Sequence, residues 1–446
     1  MRKILTILIT LLIIVDSSIV SFGLTPPPEI IGDAAVIIDA STGQILYEKN
    51  MDKQEYPAST TKVMTAMLAL ENLDLSKTVT IDAITPFTEG SRIYLLEGER
   101  LTVEQLLNAL LTESANDAAV ALGILIAGSI PEFADMMNKK AIELGAKNTN
   151  FVNPNGLHND AHITTAYDLA LIAREAMKNE KFRELIMTYR YIIPATNKQD
   201  TRYLYNTNRL IYDEKTKVNV NGVIRPAKYD GVTGIKTGYT SKAGGCLIAG
   251  AKRGDTELIA VVLKSSAEGR FADAIALLDY GFENFKSAKA IGAGTDLGEI
   301  KVNRGSVKRV GVAVANDIFA TIPFEASEEV VNTKVVLDDN VRAPVLLGQK
   351  VGTVEVYEGD KLVGEVDAIT TSQVEEGGIL SLIGLDNSTA EVVIKLVIAI
   401  FGLLLFLIFI YILLKRRQIK RKRMRAQARN LRIKSKEEIK NEYWRY

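Results

Sequence analysis

The run LVIAIFGLLLFLIFIYILL, from Leu396 to Leu414, holds 19 residues and no charge. At about 1.5 Å of rise per residue a helix of that length reaches ~28 Å, close to the hydrocarbon thickness of a bilayer. A helix in a water-soluble core carries a polar face over such a length. This run has none and reads as a transmembrane helix occupying residues 392–414, with Tyr411 as an interfacial aromatic. Residues 415–446 follow with 14 Lys and Arg against 3 Glu, a net of +11. The whole chain carries 54 basic and 54 acidic residues, so everything before the tail sums to −11. So basic a flank stays in the cytoplasm, which puts the acidic body outside. The tail reads as a stop-transfer and lipid-contacting segment, and no nucleic-acid partner is expected. The other end agrees. MRKILTILITLLIIVDSSIVSFG has Arg2 and Lys3, then an apolar run from Ile4 to Val15, then small residues. Residues 1–23 are expected to be a secretory signal peptide.

Between the two apolar ends lies room for more than one core. The single cysteine, Cys246, excludes an intrachain disulfide. It sits in GGCLIAGAK and reads as a small buried hydrophobe. The two histidines, His158 and His162, share the loop NPNGLHNDAH, and without a third ligand of their kind no metal site is expected. DAAVIIDASTGQILYEKN reads as two strands around a turn at Ser41 to Gly43. Helical patterns dominate from Tyr56 to Arg190, with Thr165 as a helix cap. GIKTGYT, CLIAGAKR and TELIAVVLK read as a meander, followed by a helix over RFADAIALLDYGFENF. Strands at both ends of 24–287 with helices between them imply an α/β sandwich whose sheet is built from remote segments. Residues 288–385 lose the helical pattern, and KRVGVAVA, DIFATIP, TKVVLD, GTVEVYEG and KLVGEVDAIT predict a small all-β domain. There is no Gly-rich phosphate loop, and no cofactor is expected.

The stretch YPASTTKVMTAMLALENL poses the chemical question. Val63, Met64, Met67, Leu68, Leu70 and Leu73 recur at helical spacing, and Pro57 precedes the helix. Ser59 is then either a helix cap, accepting a backbone N–H, or a nucleophile with Lys62 one turn along on the same face. Two later triplets bear on the choice: Ser114-Ala115-Asn116 at the end of the helix from Thr102, and Lys236-Thr237-Gly238 on the first strand of the meander. A serine needs a base before it attacks anything, and both histidines fall in one loop. Lys62 can serve if burial and a nearby like charge depress its pKa, and Lys236 from a facing strand can supply that charge. Ser114 can relay a proton to a leaving amine, Asn116 can hold a substrate amide, and the N–H groups of Ser59 and Tyr239 can form an oxyanion hole.

A serine-x-x-lysine, SxN and KTG set in this order resembles that of penicillin-binding proteins and class A β-lactamases. From about Gly32 to Phe285 the chain is similar to the low-molecular-mass penicillin-binding proteins, the D-alanyl-D-alanine carboxypeptidases of serine peptidase family S11. The resemblance rests on AVIIDASTGQILYEKN, YPASTTKVMTA, LLTESANDAAVAL, FVNPNGLHNDAHITTAYDLALIAR, GVTGIKTGYTSKAGGCLIAGAKRG and LLDYGF. It implies an α/β sandwich of the serine β-lactamase/DD-peptidase type, followed by a small all-β domain and the C-terminal transmembrane helix. It implies Ser59 as the acylated nucleophile, Lys62 as acceptor of its proton, and Ser114 and Asn116 beside them. Lys236, Thr237, Gly238 and Tyr239 would bind substrate, and Arg270 matches the family arginine placed to help bind a terminal carboxylate. The expected substrate is a peptidoglycan pentapeptide, the expected covalent inhibitors are β-lactams, and the expected location is a bacterial cell membrane with the catalytic domain outside. Relatives often end in an amphipathic surface helix, whereas this chain has a full span. The alternatives are a β-lactamase, a transpeptidase, a glutaminase with a similar serine/lysine pair, which export argues against, and a non-catalytic wall-binding subunit. Glu132 and Glu143 do not sit where a β-lactamase keeps its deacylating carboxylate.

Overall fold

A computed structural model describes residues 25–383 and 385–442. The expected signal peptide lies outside the described residues. The chain divides into two compact units. The first takes the residues up to 293 together with 316–334 and 354–366; the second takes 294–315, 335–353 and the chain from 367 onward.

The first unit is organised by five antiparallel strands: β1 (Ala34–Asp39), β2 (Ile45–Lys49), β3 (Val232–Thr240), β4 (Gly244–Arg253) and β5 (Thr256–Ser265). Their order across the sheet is β2-β1-β5-β4-β3. The ends of the catalytic segment therefore meet in the middle, where β1 pairs β5 from Ala34↔Leu263 to Asp39↔Leu258. The central strands are apolar on both faces because both faces are covered. Val36, Ile38, Ile248, Ile259, Val261 and Leu263 enter one core; Ile37, Leu247, Ala249, Leu258, Ala260 and Val262 enter the other. That is the period-2 alternation of a strand divided between two helical layers. Cys246 is free and fully buried in the first core.

The first core is closed by α1 (Lys62–Asn72), α2 (Val103–Asn108), α3 (Asn116–Ala127) and α4 (Ala166–Ala176). Thr102 and Gln105 form a capping box at the start of α2, and Thr165 Oγ1 accepts the Asp168 N–H at 3.0 Å to cap α4. The second core is closed by α5 (Gly269–Asn284), which buries Phe271, Ile275, Leu278 and Phe282. Each such side chain contributes on the order of 1.5–3 kcal/mol when fully buried. Three short hairpins in the first unit were not legible in the pattern: 78–80 with 100–102, 190–193 with 202–205, and 217–220 with 223–226.

Beyond α5 the regular structure is β until residue 370, apart from one 3-10 turn at Glu328–Val330. Strand β6 (Phe285–Ile291) crosses position 287/288 and pairs β9 (Ile318–Pro323) within the first unit. There Asp39 Oδ2 accepts from Ser287 Oγ (2.6 Å) and Thr321 Oγ1 (2.8 Å). In the second unit β7 (Asp296–Asn303) and β8 (Arg309–Val314) are antiparallel, and β8 also pairs residues 368–370. Helix α6 (Asn387–Glu442) runs without a break through both the apolar run and the basic tail. It is long and apolar enough to cross a membrane, and its apolar side chains are exposed all round.

Candidate active site

The site forms where α1 meets the edge strand β3. Ser59 lies in the 3-10 turn Ala58–Thr61 that leads into α1, after Pro57. No side chain caps that turn or α1, so Ser59 is not a cap. Its Oγ lies 2.8 Å from Lys62 Nζ. Lys62 is fully buried, and Nζ also contacts Asn116 Oδ1 and the Asn155 carbonyl oxygen, each at 2.7 Å. Burial, and next the charge of Lys236, push the Lys62 ammonium well below its ordinary range. Oδ1 and the carbonyl can only accept. A neutral amine has two N–H groups, which satisfy those two acceptors, and one lone pair, which is left facing Ser59 Oγ. The direction of the serine–lysine bond then reverses, with the hydroxyl donating to the amine.

Each wall has a local cause. After α2 the chain makes a π-helical turn, Ala109–Glu113, and reverses at Ser114, whose φ of 62° and ψ of 34° are left-handed. A non-glycine residue there costs roughly 1–2 kcal/mol, a strain common at functional sites. The reversal brings Asn116, the first residue of α3, against Lys62. Asn116 Nδ2 donates to the Glu89 carbonyl at 2.6 Å, which fixes the amide with Oδ1 towards the lysine. Ser114 is buried, but its hydroxyl forms no hydrogen bond to the serine–lysine pair. Asp117 accepts the N–H groups of Ile93 and Leu95 and so holds the loop before α2; burial raises its pKa.

The loop 153–157 supplies the carbonyl of Asn155. Gly156 has φ +82°, and a Cβ there would lie 1.9 Å from the Ala58 carbonyl oxygen, so the loop presses on the serine turn as only glycine allows. His162 holds the same contact from behind. Its Nδ1 accepts the Val152 N–H at 3.1 Å, so Nε2 carries the proton and donates to Thr61 Oγ1 at 2.9 Å. Burial above all, then His158 and Lys62, lower its pKa to about 4, and it stays neutral.

On β3, Gly238 lets the strand touch the turn. A Cβ there would lie 3.0 Å from both Pro57 O and Ser59 N, and 3.1 Å from Thr60 N. Lys236 is buried, with Nζ 3.2 Å from the Thr237 carbonyl; burial and next Arg270 bring its pKa down to about 7. Thr237 Oγ1 lies 2.6 Å from Thr207 Oγ1. Arg270, at the start of α5, does not cap its helix. It is half-buried over the Phe271 ring, and Nη1 donates to the Gly238 carbonyl at 2.7 Å. A trans peptide points its N–H opposite its C=O. By holding Gly238 O, Arg270 also fixes the direction of the Tyr239 N–H. The Tyr239 side chain itself is 57% exposed.

All nine residues singled out in the sequence thus lie on elements that converge on the Ser59 turn. Asn155, Gly156, Glu89, His162 and Thr207 were missed as contributors. NPNG read only as part of the loop that holds the two histidines, and backbone carbonyls leave no trace in residue type.

A serine set against a buried lysine where a helix mouth meets a sheet edge, on a sheet clad with helices on both faces, belongs to the active-site-serine class that penicillin acylates. Comparison with known proteins narrows the class. Residues 22–267 match the family peptidase S11, described as D-alanyl-D-alanine carboxypeptidase, and residues 285–376 match the C-terminal domain of penicillin-binding protein 5. The chain is 34% identical to D-alanyl-D-alanine carboxypeptidase DacF of Bacillus subtilis, over 78% of this chain and 87% of that one. Penicillin-binding protein 5 of Haemophilus influenzae superposes with a TM-score of 0.62 at 31% identity, covering 79% of this chain and all of that structure. A DD-transpeptidase from Streptomyces K15 superposes at 0.52 with 33% identity, covering 57% of this chain and 99% of that one. The chain belongs to the D-alanyl-D-alanine carboxypeptidases of peptidase family S11. It is a serine carboxypeptidase of the penicillin-binding kind.

Proposed function

We propose that the enzyme removes the terminal D-alanine of peptidoglycan pentapeptides through an acyl-enzyme on Ser59. Neutral Lys62 takes the Ser59 proton as Oγ bonds to the scissile carbonyl carbon. The oxyanion is held by the N–H groups of Ser59 and Tyr239, preorganised before the substrate arrives. Ser114 passes a proton to the departing amine, the C–N bond breaks, and D-alanine leaves. Water then attacks the ester, the Ser59–acyl bond breaks, and the shortened peptide acid is released as Oγ regains its proton. Asn116 orients both Lys62 and the substrate amide. The substrate extends along the free edge of β3, with its terminal carboxylate towards Thr237, Lys236 and Arg270. β-Lactams enter the same path and stop at the acyl stage. The protein is anchored by α6 in the cell membrane, with the catalytic unit outside and the basic tail in the cytoplasm.

The observation that carries this reading is the 2.8 Å approach of Ser59 Oγ to a lysine that is fully buried and faces a second buried lysine. Intact-mass analysis of the detergent-solubilised chain after penicillin treatment tests it. One covalent adduct is expected, mapping to Ser59 and absent from Ser59→Ala, whose thermal melt stays cooperative. Labelling of the alanine variant would overturn the assignment. The same assay with an added acceptor amine measures how far the acyl-enzyme partitions to transpeptidation.

A further inference from the structure

The second unit has a cavity of its own, about 230 Å³ in volume, lined among others by Lys301, Arg304, Lys308, Ser381, Leu385 and Asp386. Lys301, Arg304 and Lys308 are exposed, and none of them forms an ion pair among the described residues. Asp386 Oδ1 accepts the Thr389 N–H at 2.8 Å and lies 3.2 Å from Ser388 Oγ, at the start of α6; these bonds first, and then the charge of Lys308, lower its pKa, so it offsets part of the positive charge there. Three cations and one carboxylate leave the lining at +2. Glu375 and Glu376 run alongside through their backbones, but neither lines the cavity nor pairs with its cations.

The cavity is tied to the root of α6. Asn387 N donates to the Ser306 carbonyl at 3.0 Å, Gly378 N to Asn387 Oδ1 at 3.0 Å, and Gly377 N to the Arg304 carbonyl at 2.9 Å. Val392 lies six residues beyond Asp386, about 9 Å along a helix axis. The polar layer on each side of a bilayer is roughly 5–8 Å deep. With the span entering the hydrocarbon at Val392, the helix root, to which Arg304 and Ser306 are tied, stands at the outer edge of that polar layer, and long Lys and Arg side chains anchored there can reach down to the phosphates. Two exposed apolar side chains flank the cations, Val307 beside Lys308 and Ile379 just before Ser381. Cations around a hollow, with apolar neighbours at the water boundary, match a group that is anionic at its head and apolar below.

We propose that this cavity holds the head group of an anionic phospholipid in the leaflet that α6 enters, its phosphate against Lys301, Arg304 and Lys308. The second unit is then held to the membrane at a point beside the helix as well as by the helix itself. The inference rests on the reading of α6 as a membrane span, and the two fail separately in the following test.

The full chain is reconstituted in phosphatidylcholine discs doped with phosphatidylglycerol carrying a photoreactive diazirine in its head group. Cross-linked peptides are then mapped. A second probe, with the diazirine in the acyl chain, reports insertion of residues 396–414. Head-group cross-links are expected on the peptides spanning 301–308 and 376–386. Their yield should fall roughly fivefold for each charge removed in Arg304→Gln and in Lys301→Gln/Arg304→Gln/Lys308→Gln, while penicillin labelling and acyl-chain cross-links stay unchanged. Unlabelled phosphatidylglycerol should compete. The proposal is overturned if the triple variant cross-links as well as wild type, if a phosphatidylcholine probe labels the same peptides equally, or if soluble glycerol phosphate competes as well as the lipid. Loss of the acyl-chain cross-links instead overturns the span.

Discussion

Gly238→Ala isolates the contact that assembles the site. The new methyl would lie 3.0 Å from Pro57 O and Ser59 N and 3.1 Å from Thr60 N, where ordinary Cβ contacts begin near 3.4 Å. A retreat of at least about 0.4 Å is needed, and all three neighbours are backbone atoms with no rotamer to yield. On one side the turn is tied to Lys62; on the other β3 is tied to β4 and, through Gly238 O, to Arg270. The displacement therefore falls on the separation between the Ser59 and Tyr239 N–H groups. Losing one oxyanion donor altogether costs about 10²–10³ in rate, and a misplacement of ~1 Å about 10². A shift of ~0.4–0.5 Å should slow acylation about 10- to 30-fold, or ~1.4–2 kcal/mol of barrier. Overpacking lowers stability by about 1–3 kcal/mol, which leaves a folded protein. The assay is the second-order rate of labelling by fluorescent penicillin, with a thermal melt on the same sample. A rate within about threefold of wild type, in a variant that melts cooperatively, would refute the view that β3 and the serine turn are held at contact by this glycine.

Lys62→Arg keeps the charge but cannot deprotonate, and should lose acylation by at least about two orders of magnitude in a stopped-flow measurement; an active arginine variant sinks the general-base role. Free-acid peptides should be hydrolysed far faster than their C-terminal amides, and the ratio of kcat/KM should shrink as pH rises through about 7, where Lys236 loses its proton in the free enzyme. Arg270→Ala should lose most of that ratio; full discrimination in the variant would place carboxylate recognition elsewhere. The same depressed pKa has a stability consequence. Between about 7 and the ordinary 10.5 the unfolded chain keeps a proton that the folded chain has released, so stability should rise with pH across that window. Lys236→Met should flatten the slope, as followed by denaturant melts at several pH values. In intact cells, added protease should digest the body and spare an epitope placed after Tyr446; its digestion would refute the orientation.

The pattern of residues determined what depends on neighbours along the chain. An uncharged run of bilayer length, the period-2 apolar strands of the meander, and Ser59 one turn before Lys62 all follow from helix and strand periodicity, which is a local property. The three short motifs were legible because side-chain chemistry is written in residue type. What only the tertiary structure decided is the environment in which those side chains sit. Lys62 has a depressed pKa because it is buried against Asn116 and the Asn155 carbonyl, 54 and 93 residues away, and desolvation is a property of the packed molecule. The Asn155 contact is a backbone atom, which any residue would offer. Gly238 read in the sequence as one of the substrate-binding residues and Gly156 was not singled out; in the fold both allow the close approach of two backbones that the chain separates by many residues. Arg270 read as a carboxylate ligand, yet in the folded enzyme it also holds the Gly238–Tyr239 peptide, since α5 and β3 meet only when the sheet closes. Strand β6 packs with the first unit for the same reason: Asp39 needs hydroxyl partners in its burial, and the fold supplies Ser287 and Thr321 from 248 and 282 residues away.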